Sequence, residues 1–126
     1  MTIIAFTTLN HSQIAENITL LDNWDNNTLP LDAYGATFNE CWGFVYNGTE
    51  YAVIGSTVGT HLFMISATDQ LQEVQFIPGT INNAIHRDYH DYNNYLYGVS
   101  DEDPGLDIMD MSTLPDSLTR INKTNQ

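Results

Sequence analysis

The stretch that decides the fold reads Trp42-Gly-Phe-Val-Tyr-Asn-Gly-Thr-Glu-Tyr-Ala-Val-Ile-Gly-Ser56, followed by Gly59-Thr-His-Leu-Phe-Met-Ile-Ser66. Phe44-Val-Tyr46 and Tyr51-Ala-Val-Ile54 flank Asn47-Gly48. Both turn residues accept positive φ, so the dipeptide predicts a tight hairpin. The scheme returns as Arg87-Asp-Tyr-His-Asp-Tyr-Asn-Asn-Tyr-Leu-Tyr-Gly-Val-Ser100 and Gly105-Leu-Asp-Ile-Met-Asp-Met-Ser112. Tyr46 answers Tyr92, Tyr51 answers Tyr95, Ser56 answers Ser100, Gly59 answers Gly105 and Ser66 answers Ser112. The period is about 45 residues, and its small slips fall in turns, where insertions cost little. Several short strands per unit at that spacing is how propeller blades look in sequence.

Working outward, Gly59 opens a third strand, His61 to Ile65. Glu73-Val-Gln-Phe-Ile77 alternates polar and apolar and is stopped by Pro78-Gly79. Four strands joined consecutively make a meander, rich in the Val, Ile, Tyr and Phe that suit a pleated surface. The second unit has strands at Tyr89 to Tyr92, Tyr95 to Val99, Leu106 to Met111 and Leu118 to Ile121. Thr113-Leu-Pro-Asp-Ser117 is its last turn. The blade-like units are residues 42–80 and 81–121, with a polar tail at 122–126. Upstream, residues 16–41 read as a leading strand, Ile18 to Leu21, and a long loop over 22–40 dense in turn formers. Residues 1–15 hold a short apolar run, Ile3 to Leu9, then Ser12-Gln-Ile-Ala15. That resembles the tail of a secretory signal peptide; a plain N-terminal strand is the other reading. The expected fold class is all-β: two four-stranded antiparallel propeller-blade-like meanders plus a leading strand, an incomplete β-propeller. Propellers have about four to eight blades that shield one another. Two units therefore imply the N-terminal portion of a longer protein, association of copies, or a small sandwich.

The chain has 126 residues, with 16 acidic against 3 basic side chains and a net charge of −13. Arg87, Arg120 and Lys123 cannot form the basic stripe that nucleic acid or an anionic membrane requires. The acidity favours solubility, cations, basic partners or a salt-rich habitat. The single cysteine, Cys41, excludes an internal disulfide and a Cys-rich zinc site, and is expected to be a buried, inert thiol. No apolar run approaches the ~20 residues that span a bilayer.

Asn17-Ile-Thr-Leu-Leu-Asp-Asn-Trp-Asp25, the Trp42-Gly-Phe44 segment, Tyr51-Ala-Val-Ile-Gly-Ser-Thr-Val-Gly-Thr60, Arg87-Asp88 and Leu106-Asp-Ile-Met-Asp110 resemble the choice-of-anchor B family. Its proteins carry the repeat named for the peptide Leu-Val-Ile-Val-Asp. The resemblance runs over residues 17–118. It implies a secreted or surface-attached bacterial β-propeller with a variable C-terminal anchor and no established catalytic residues. This sequence departs from the pattern in stopping after about two blades, in showing no anchor, and in placing Met64 where the first unit's repeat aspartate belongs. Asp110 holds that position in the second unit and reads more simply as a turn cap.

Asp101, Asp103 and Asp107 surround a Pro-Gly turn and are the calcium candidate, since calcium takes several hard oxygens from a flexible loop. The bland alternative is a solvated acidic hairpin loop. His86 and His90 would share a helix face and could bind zinc, but on a strand they stand ~13 Å apart. His86-Arg-Asp-x-x-x-x-Asn93 spells a kinase catalytic loop without the Gly-rich loop, strand lysine or Asp-Phe-Gly that the machinery needs. Arg87 is better read as pairing with Asp88 or Asp91. No nucleophile-elbow pattern occurs, and a triad is defined by geometry that sequence does not supply. The aromatic set from Trp42 to Tyr97 reads as packing between blades, or else as a sugar- or peptide-binding face. The expectation is a non-enzymatic extracytoplasmic or cell-surface binding or scaffold module with an unknown protein or carbohydrate partner. The alternatives are a fragment of a secreted calcium-stabilised hydrolase and a surface protein that self-assembles through open sheet edges.

Overall fold

The computed structural model describes residues 17–102 and 105–124. Among them are eight strands and no helix: β1 (Phe38–Tyr46), β2 (Thr49–Ser56), β3 (Gly59–Ile65), β4 (Leu71–Pro78), β5 (Arg87–Tyr92), β6 (Tyr95–Ser100), β7 (Leu106–Asp110) and β8 (Thr119–Thr124). They form two four-stranded antiparallel sheets, each in sequential order, and neither sheet closes on itself. The all-β, double-meander expectation holds. Both first hairpins turn in two residues, Asn47-Gly48 and Asn93-Asn94, and all four have positive φ. That backbone matches the right-handed twist of the flanking strands. Equal turn lengths make Tyr97, rather than Tyr95, the register counterpart of Tyr51. Both fourth strands carry a one-residue bulge, at Val74 and at Ile121.

A third bulge sets the faces of β1. Glu40, at φ 57°, is skipped in the pairing with β2 and resets the alternation. Trp42, Phe44 and Tyr46 then face the second sheet, whereas Phe38 falls on the opposite side against Trp24. Cys41 turns outward with that side and is exposed, contrary to the buried thiol expected. The sheets meet along β1, β2 and β5. Between them lies an apolar core that includes Phe44, Tyr51, Val53 and Leu62 from the first and Tyr89, Leu96 and Met109 from the second. Polar bridges tie the same seam. Trp42 Nε1 donates to Asp91 Oδ1 at 2.8 Å, and Thr60 and Tyr89 share a 2.7 Å hydroxyl contact. The Gln75 amide clasps Leu118, donating to its carbonyl and accepting its N–H.

Three expectations are corrected. Ile18–Leu21 is not a strand: it pairs with no neighbour among the described residues, and Ile18 and Leu20 are 74% and 80% exposed. A β-prone run becomes a strand only against an edge that accepts its hydrogen bonds. The long loop ends at β1, which starts at Phe38. It straps the outer face of the first sheet, with Trp24 against Phe38, His61 and Phe63 at centroid distances of 5.3, 5.0 and 4.8 Å. Asp22 Oδ2 accepts the Leu71 N–H at 2.9 Å and Thr57 Oγ1 donates to the Pro30 carbonyl. Bonds from Leu71 and Asn23 hold the Asp22 carboxyl below its ordinary range. The expected polar tail contributes residues 122–124 to β8, since polar and Lys residues suit an edge strand. The suggested signal remnant at 1–15 and residues 125–126 lie outside the described residues.

Candidate functional site

Strand register brings together three residues that are scattered in sequence. Ser56 and His61 share the outer face of the first sheet on neighbouring strands, and Glu73 joins them from β4. Ser56 Oγ lies 3.0 Å from His61 Nε2, and His61 Nδ1 lies 2.7 Å from Glu73 Oε1. The order is hydroxyl, imidazole, carboxylate, the order of a serine nucleophile with its base and orienting acid. The surroundings give it another task. Ser56 is 0% exposed, and Val58 N–H also donates to its Oγ. The imidazole is flanked by Trp24 at 5.0 Å and Phe76 at 4.7 Å. The neighbouring Thr57 N–H is spent on the Thr37 carbonyl, so it offers nothing to an oxyanion. As folded, the relay ties the β2–β3 turn to β4 beneath the strap. Sequence reasoning missed it because only the pairing register creates it.

The acidic loop is arranged differently from the calcium expectation. Asp101 is exposed where β6 ends, and its N–H donates to the His86 carbonyl. Asp103 lies outside the described residues. Asp107 is on β7 with Arg120, Nε 3.0 Å from Oδ1 and Nη2 donating to Oδ2 at 3.3 Å. A guanidinium already on Asp107 opposes a cation there. Among the described residues no three His, Cys, Asp or Glu side chains gather as a metal group. His90 packs on Trp42 at 4.5 Å, while His86 precedes β5.

Arg87 departs from its expected partners. It crosses to the first sheet, where Nε donates to the Ser56 carbonyl at 3.1 Å. Gly55 makes room: a Cβ there would sit 3.0 Å from Arg87 Cβ and 2.7 Å from the Asn39 carbonyl oxygen. Asp91 serves the Trp42 indole instead, and Asp88 points to solvent. Asp110 Oδ1 accepts the Ser112 N–H at 2.8 Å, the turn cap expected of it.

The aromatic set divides between the seam and a surface. Trp42, Phe44, Tyr46, Tyr51 and Tyr89 pack in or against the core. Tyr92, Tyr95 and Tyr97 lie outside it, on the side of the second sheet turned away from the first, with Val99 beside them. Tyr92 is 74% exposed and Val99 46%. A cleft of about 140 Å³ runs there between His90, Tyr97 and Val99. No helix among the described residues is long and apolar enough to cross a membrane. Comparison with protein-family models, with curated proteins and with solved structures finds no match.

Proposed function

We propose that the chain is a pair of propeller blades acting as a non-enzymatic binding or scaffold module, with its docking surface on the outer face of the second sheet. One observation carries this reading. The sheets share strand order, first-turn length and fourth-strand bulge, so their faces can be matched strand by strand. The face of the first sheet that bears Phe44, Tyr51 and Leu62 is covered by the second sheet. The matching face of the second bears Tyr92, Tyr97 and Ile108, and apart from the contact of His90 with Trp42 of β1 no described strand covers it. Contiguous exposed aromatic and aliphatic side chains mark interaction surfaces. A β-sheet of similar make is the favoured occupant, because the matching face is filled that way within the same chain. A sugar stacked on the tyrosines is the competing ligand. With Arg87 buried in the seam and Arg120 paired with Asp107, the acidic surface favours a partner whose rim is basic. The extracytoplasmic location rests on the family resemblance.

Matched substitutions test the reading. Phe44→Ala is expected to cost about 3–4 kcal/mol, as for a buried aromatic. Tyr97→Ala is expected to cost less than about 1 kcal/mol in the isolated chain. Equal losses in urea titrations would mean that the outer face already belongs to a core, and would defeat the proposal. One observation favours self-assembly through edges as a second reading: Ile18, Leu20 and Leu21 are exposed, and β1, β4, β5 and β8 end their sheets. A sharp monomer mass at every concentration in sedimentation would exclude it. The hydrolase alternative draws no support from Ser56, whose hydroxyl is sealed.

A further inference from the structure

A small polar cavity of about 10 Å³ lies in the seam, lined by Thr60 of the first sheet and Arg87, Tyr89, Ser100 and Asp107 of the second. Two unmatched groups meet there. Thr60 Oγ1 and Tyr89 Oη are 2.7 Å apart and make one hydrogen bond between them. Two hydroxyls carry two hydrogens, so that bond leaves one donor over. Asp107 Oδ1 is the complement. It is buried and receives no well-aligned hydrogen bond from the described residues, although Arg120 Nε lies 3.0 Å away. An idle buried donor and an idle buried acceptor each cost free energy.

We infer that this cavity is a binding site for one structural water, which accepts the spare hydroxyl hydrogen and donates to Asp107 Oδ1. The volume suits a single water, which needs roughly 10–15 Å³ and two to four polar partners. Through the hydroxyl pair the molecule links β3 to β7, adding a relay to the polar bridges that already tie the sheets. The Asp107 carboxylate thereby completes its bonding without abandoning Arg120. Burial that raises the Tyr89 hydroxyl keeps it a neutral donor below strongly alkaline pH.

A crystal structure at about 1.5 Å tests the site directly. A single density peak within hydrogen-bond distance of Asp107 Oδ1 and of either Thr60 Oγ1 or Tyr89 Oη is expected. A dry cavity, or a peak that touches neither hydroxyl, overturns the inference. In solution, oxygen-17 relaxation dispersion counts long-lived waters. The count is expected to fall by one in Thr60→Val/Tyr89→Phe, and an unchanged count overturns it. Should the double variant not fold, the wild-type crystal structure decides alone. A dry cavity inside an intact seam removes this site only, whereas sheets that do not stack remove the blade-pair reading as well.

Discussion

Among the described residues Tyr89 carries the clearest titration. Burial pushes its hydroxyl up to about 12, outweighing the Thr60 hydrogen bond and the nearby Arg87, both of which lower it. The folded state therefore holds a proton that the unfolded chain releases near pH 10. Stability from this group is complete below pH ~10 and falls by about 3 kcal/mol as pH rises to ~12. Urea midpoints between pH 9 and 12 should show that decline, and Tyr89→Phe should remove this contribution to it. Ser56 is a second test at this scale. Ser56→Ala leaves the buried His61 ring nitrogen unmet and is expected to cost about 2 kcal/mol. Activity of Ser56 toward a serine-directed phosphonate is expected to be nil. Labelling at Ser56 would show that the strap opens and that the relay does chemistry.

The hairpins are where sequence and element agree best. Asn93 and Asn94 have φ of 50° and 68°, a conformation that Asn tolerates and Gly adopts without strain. Asn94→Gly is accordingly expected to raise stability by about 0.5 kcal/mol, read from the thermal midpoint. Such turns were legible because one or two residues decide them. The Asn-Gly and Asn-Asn pairs and Pro78-Gly79 placed the turns and the end of β4. Features that depend on a distant partner were not. Ile18–Leu21 has the composition of a strand but pairs with no edge among the described residues. Cys41 faces outward because Glu40 adds one residue to β1, and no local pattern announces that bulge. The contact of Ser56, His61 and Glu73 exists only once β2, β3 and β4 are in register.

For the whole molecule, the balance of charge is the dominant long-range term. The net charge is −13; Arg87 is buried in the seam, and Arg120, on the surface, is paired with Asp107. Mutual repulsion among exposed carboxylates then opposes compaction. Raising salt from ~10 mM to ~0.5 M shortens the Debye length several-fold and should raise the thermal midpoint by a few degrees. A midpoint that fell with salt would show that the pairing of Arg120 with Asp107 matters more than the surplus. The strap has the last word on assembly. Because the Trp24 indole lies over the outer face of the first sheet while Tyr92 stands exposed on that of the second, a further layer of the proposed kind would have to settle on the second. Joining the pile into a circle would first require that indole to be prised off its seat.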